Sequence, residues 1–180
     1  MKKVFYSFHY ALDNWRTNQI RNIGIVEGQR ICEPNEWEDI KRKGDKNIAK
    51  WIDSSMQDCD CVIVLIGEQT HTRKWIKYEV KKAKELNKPI FAIFIHNLKD
   101  SNSKTSKKGK NVFGIKAYEA KDFNHISKNL ESWIDENTPN NKLLFFGISA
   151  FMIFIFRNQI KSFWNHLLNK RCGLDNARFS

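Results

Sequence analysis

Glu79 is the residue whose setting could carry chemistry. In Trp75-Ile76-Lys77-Tyr78-Glu79 the tryptophan and the glutamate are four apart, which puts both on one face of a helix. The segment follows the apolar run Cys61 to Ile66 and a polar loop, so the helix opens just beyond a strand end. A carboxylate there can lie at the mouth of a sheet and stabilise positive charge on a bound molecule. Periodicity leaves a plainer alternative open. Glu79 could be a solvated helix residue paired with Lys82 or with charges near Arg73, and Trp75 could be core.

Other chemistry finds little footing. No GxGxxG follows the first apolar run, and no GxxxxGK[ST] occurs, so the usual backbone phosphate cradles are missing. HExxH and GxSxG are absent too. His9, His71, His96, His125 and His166 are scattered, although the first three fall on loops that follow strands. Cys59 and Cys61 are one residue apart, which is not the pair-of-pairs spacing of a zinc site. With Cys32 and Cys172 they read as inert thiols of a reducing compartment, and no metal is expected. Phe8-His9-Tyr10 and Gly67 stand where a receiver domain would need acids, so phosphorelay is excluded.

The elements that would position Glu79 alternate in type. Val4 to Phe8 reads as a strand, and residues 12–23 as a helix with Leu12, Trp15, Ile20 and Ile23 on its apolar face. Arg30 to Cys32 is a candidate second strand, followed by a charged loop, Glu36 to Asp39. Helices are expected over 46–57, capped by Asp45, and over 74–86, stopped by Pro89. Cys61 to Ile66 and Ile90 to Ile95 are apolar without alternation, as in strands covered on both faces. His96 to Asn111 is long and polar, which suggests a mobile segment or a lid. A short last strand within 112–118 and a helix over 122–136 complete the pattern. It predicts a mostly parallel sheet flanked by helices, with ligands bound beyond the strands' C-terminal ends.

At 180 residues, with 41% hydrophobic and 13% aromatic side chains, the chain can bury one core and is not a disordered protein. Its net charge of +11 invites nucleic acid or an anionic membrane as partner. Residues 1–141 carry a net +6, while residues 142–180, with six basic side chains and one acidic, carry a net +5, so the tail is far more one-sided than the body. Nucleic acid is therefore not expected as the main partner. After a hinge at 137–141, Leu143 to Phe156 carries no charge, and the basic, amphipathic segment 142–168 precedes a tail at 169–180. Fourteen helical residues span about 21 Å, short of a bilayer core of about 30 Å. Membrane attachment, packing on the domain and an oligomer contact all stay open for this segment.

Several stretches together carry a resemblance. They are Val4-Phe5-Tyr6-Ser7-Phe8-His9-Tyr10, Trp37-Glu38-Asp39, Cys61 to Gly67 with Glu68-Gln69-Thr70, and Arg73 to Glu79. The pattern continues through Ile95-His96-Asn97 to Asn111. Over residues 1–136 the chain resembles the TIR-like domains of the Thoeris anti-phage defence system. The resemblance implies a flavodoxin-like α/β fold with a mostly parallel five-stranded sheet, followed here by a C-terminal hydrophobic helix that the family pattern does not include. It implies an NAD glycohydrolase or cyclase that makes a cyclic ADP-ribose-type signal for a downstream effector, with NAD as substrate and no permanently bound cofactor. Self-association through the domain is expected, and so is a cytoplasmic location, attached to the inner face of the membrane if 142–168 binds it. Glu79 would be the catalytic glutamate. Ser7 and Asp39 are candidate polar contacts to the nucleotide, and Phe5, Phe8, Trp37 and Trp75 candidate aromatic walls. The other reading is a TIR interaction module without chemistry, using the exposed 36–43 region and its basic surface.

Overall fold

A computed structural model describes residues 1–28 and 34–138, without the side chains of 34–37. The strands are β1 (Lys3–Ser7), β2 (Glu27–Gly28), β3 (Cys61–Ile66), β4 (Ile90–Phe94) and β5 (Ala117–Glu119). The helices are α1 (Tyr10–Arg21), α2 (Pro34–Arg42), α3 (Asp45–Gln57), α4 (Lys74–Glu85) and α5 (Phe123–Asn137). The strands form one sheet in the order β2-β1-β3-β4-β5, and every pairing is parallel. The reversal of strand order lies between β1 and β3, where ligands bind in doubly wound sheets.

Period-two alternation sorts the strands onto two faces. Val4 and Tyr6 pack with Ile20, Leu130 and Ile134, beneath α1 and α5. Phe5 faces the other way and packs with Ile48, Ile52 and Val62, while Val64 and Ile66 meet Ile76 and Val80 of α4. All six residues of β3 are buried, as its unbroken apolar run predicts.

Several expectations need correction. Among the described residues the second strand is Glu27–Gly28, and the expected Arg30–Cys32 strand falls wholly within 29–33, outside them. Residues 36–39 lie in α2 rather than a loop. Pro34 heads that helix, where its missing N–H costs no hydrogen bond and its fixed φ suits helix entry. Asp45 is the first residue of α3 rather than its cap, which is Gly44 at φ +84°. The last helix runs through Asn137, into the expected hinge. The segments 142–168 and 169–180 lie outside the described residues.

The largest departure is α1. Of the expected apolar face, Ile20 is buried and Ile23 packs against the core, but Leu12 and Trp15 are 46% and 49% exposed, while Asp13, Arg16 and Thr17 face inward. The helix turns a polar stripe toward the sheet's C-terminal end because partners await it there. Arg16 reaches backbone carbonyls of the loop after β4, and Thr17 Oγ1 donates to Asp13 O at 2.9 Å. The 96–111 loop is accordingly fastened in place rather than left mobile.

Candidate active site

Ser7 ends β1, directly opposite Val64 of β3, and shares the α4-facing side with Phe5. On α4, Ile76, Val80 and Ala83 are buried against the sheet, and Glu79 lies among them in sequence. Strand and helix thereby bring two residues 72 apart into contact, with Ser7 Oγ 2.5 Å from Glu79 Oε2. The solvated alternative for Glu79 does not hold. Lys82 pairs instead with Asp53 at 2.9 Å, and burial pushes the Glu79 carboxyl up to about 8. The Ser7 hydroxyl opposes that rise by donating to the charged form, and among the described residues no cation offsets the burial. A half-buried acid with its carboxyl held by Ser7, and with no cationic partner among the described residues, is poised to receive positive charge from a ligand.

The loops beside this pair are built for close approach. His9 caps α1, its Nδ1 accepting from Leu12 N at 3.3 Å. That bond leaves the hydrogen on Nε2, which is buried without a hydrogen-bond partner among the described residues. Burial, then the nearby Arg73 charge, lowers the His9 pKa and keeps the ring neutral. After β3, Thr70 Oγ1 accepts from Gly67 N at 2.9 Å and donates to Leu65 O at 3.3 Å, tying the turn down. A side chain at Gly67 would meet Asp13 Oδ2 at 2.2 Å, and one at Gly109 would meet Gly67 O at 2.0 Å. Three chain segments therefore touch where only glycine fits.

The other expected contacts scatter. Phe8 points to the α1 side, half-buried beside Tyr10 at 6.2 Å between ring centroids, on the face opposite Ser7. Phe5 is buried core and cannot serve as a free aromatic wall. Trp75 is half-buried in the α3–α4 packing, edge-on to Tyr78 at 5.7 Å, with Lys74 Nζ 4.9 Å from its ring. Asp39 is exposed, and its ion pair is with Arg42 on its own helix at 2.8 Å. Trp37 lies in α2, and its side chain is outside the described part of the structure. Asp13, Arg16, Gly67 and Gly109 were not foreseen. Their one sequence signal, an acid and a base three apart on a helix, is shared by countless solvated pairs.

Among the described residues no three His, Cys, Asp or Glu side chains gather to hold a metal. Cys59 and Cys61 are buried free thiols, and burial pushes Cys61 up to about 12, which leaves it inert at neutral pH.

Residues 5–100 match the family described as Thoeris protein ThsB, TIR-like domain. The chain belongs to this TIR-like domain family. It is also 32% identical over 123 residues to a Bacillus cereus (strain MSX-D12) protein named "Putative cyclic ADP-D-ribose synthase ThsB1". The shared stretch is 66% of this chain and 64% of that protein, a little under two thirds of the relative's length. The family match runs from Phe5 of β1 to Asp100 and so takes in Ser7, Glu79 and the helix α4 that carries Glu79.

Proposed function

We propose that this TIR-like domain cleaves the bond between nicotinamide and ribose in NAD, with Glu79 as catalytic carboxylate, and releases a cyclic ADP-ribose-type nucleotide that activates an effector in anti-phage defence. The observation that carries this reading is the half-buried Glu79 carboxyl, held by Ser7 and without a cationic partner among the described residues, at the point where strand order reverses. The name of the Bacillus cereus relative points the same way.

The chemistry suits a single carboxylate. Nicotinamide departs as a neutral molecule with the electrons of the bond, so it needs little acid assistance. Positive charge then gathers on the ribose carbon. The Glu79 carboxylate stabilises that charge and accepts hydrogen bonds from sugar hydroxyls. Attack by an adenine nitrogen closes a ring, and attack by water gives the linear product. The cationic nicotinamide ring also favours the ionised form of Glu79 once NAD is bound.

Mass spectrometry of NAD incubated with the purified protein tests the reading. Glu79→Gln should lower nicotinamide release by about 10²–10³-fold. If the parent protein at high concentration releases none, the proposal fails. A second reading, an assembly module without chemistry, is favoured by α1, whose Leu12 and Trp15 present an exposed apolar face suited to self-association. Under it, Glu79→Gln would leave defence in cells intact while charged substitutions on α1 abolished it.

No helix among the described residues is long and apolar enough to cross a membrane. Attachment through 142–168, placing the domain at the inner face, belongs to the same proposal. Co-sedimentation with anionic vesicles, compared with and without that segment, tests it.

A further inference from the structure

Arg16 is 4% exposed, and its guanidinium gathers acceptors from chain more than eighty residues away. Nε donates to Leu98 O at 2.8 Å and Nη2 to Lys104 O at 3.1 Å. Nη1 donates to Asp13 Oδ1 at 3.2 Å, and Asp100 Oδ2 lies 3.9 Å from Nη2. Asp100 in turn accepts from Asn102 N and Lys104 N, shaping the loop's first turn. Leu98 is buried in the core beneath α1, and Ser106 N donates to His96 O at 3.0 Å. Further along, Gly109 sits on Gly67 O and on the Ile66 side chain, before Phe113 enters the core beneath α4. The loop thus leaves β4, is gripped at α1, and returns across the end of β3.

That course bounds the Ser7–Glu79 site. Ser7 is level with Val64, and Ile66 lies two residues further along the same face of β3. The loop therefore crosses about 7 Å further along the strand direction than Ser7, one strand over. A buried ion pair is a poor choice if the only task is to hold a helix on a sheet, because apolar residues of similar volume do as well or better. The loss of hydration is visible in Asp13, whose carboxyl burial pushes up to about 6 despite the adjacent Arg16. What apolar residues could not provide is a planar fork that fixes two loop carbonyls and a carboxylate at once.

We propose that Arg16 is a positioning residue that fastens the 96–111 loop as a wall beside the Glu79 carboxylate, and that this wall sets the partition between cyclised and water-quenched product. The inference rests on the NAD-cleaving reading and extends it to what happens after nicotinamide leaves. The sugar cation is captured by whichever nucleophile reaches it first. A fixed wall keeps bulk water from the crevice while the nucleotide folds back. Bond breaking relies on Glu79 and is little affected by the wall.

The experiment incubates the full chain with NAD and measures nicotinamide, cyclic product and linear ADP-ribose in each sample. Arg16→Ala should lower the cyclic-to-linear ratio about tenfold, a loss on the scale of one displaced wall, while nicotinamide release stays within a few-fold. Arg16→Lys should fall between, since an ammonium cannot span the three acceptors. Gly109→Ala displaces the same loop without touching Arg16 and should lower the ratio too, which keeps the test open if Arg16→Ala does not fold. An unchanged ratio in whichever of these two variants folds overturns the inference and leaves the NAD-cleaving reading standing. So does a parent protein that yields only linear product. A parent that releases no nicotinamide overturns both.

Discussion

At the scale of single residues, the decisive interaction is between one hydroxyl and one carboxyl. Because Glu79 titrates near 8 in the fold, it is largely protonated in the free protein at neutral pH. The value of kcat/KM for nicotinamide release, which reports the free enzyme, should therefore climb with pH to about 8. Removing the Ser7 hydroxyl takes away the group that favours the anion, so Ser7→Ala should move this limb to higher pH. Stability changes in the opposite sense. An unfolded chain releases the Glu79 proton near its ordinary value of 4.5, whereas the folded chain keeps it to about 8. Stability from this residue is thus full below 4.5 and is lost as pH rises toward 8. Glu79→Gln has no such slope. Its advantage over the parent in urea melts should grow by about 1.4 kcal/mol per pH unit across that window.

At the scale of elements, the β3–α4 connection governs how closely three segments approach. A methyl group at Gly67 would press on the Asp13 carboxylate, which is itself held by Arg16 and cannot swing away. Gly67→Ala should cost about 1–3 kcal/mol in denaturant melts through overpacking alone. The same substitution at exposed Gly114 meets no atom within 4 Å, though its φ of +61° makes an alanine there strained. That strain costs about 1 kcal/mol, so the Gly67 variant should be the less stable of the two.

At the scale of the whole molecule, the sheet, its helices on both faces and the candidate site all fall within the described residues up to Thr138. A chain ended after Thr138 should therefore unfold in one cooperative transition by calorimetry and retain the proposed NAD cleavage. Loss of vesicle binding in that shortened chain, with activity preserved, would assign membrane contact to residues beyond the domain.

Local chemistry was enough to order most of the elements. Unbroken, short, β-branched-rich apolar runs at Cys61–Ile66 and around Ile90–Phe94 read as strands covered on both sides, and the 3.6-residue spacing of Ile76, Val80 and Ala83 reads as the buried face of a helix. Glu79 could be singled out as a candidate for a related reason, since its helix, its position just past a strand end and its company in the family pattern all lie in contiguous sequence. Short or polar elements were read less well: α2 looked like a loop because its charged face dominates, and the first half of α1 was turned the wrong way because Leu12 and Trp15 are apolar, while Ile20 and Ile23 face the core as expected. What tertiary structure alone decided were contacts between distant parts of the chain. Ser7 finds Glu79 across 72 residues, and Arg16 finds Leu98 across 82. Propensity and periodicity describe how a segment behaves alone. Whether a buried polar group is tolerated depends on the partner that the folded chain brings to it.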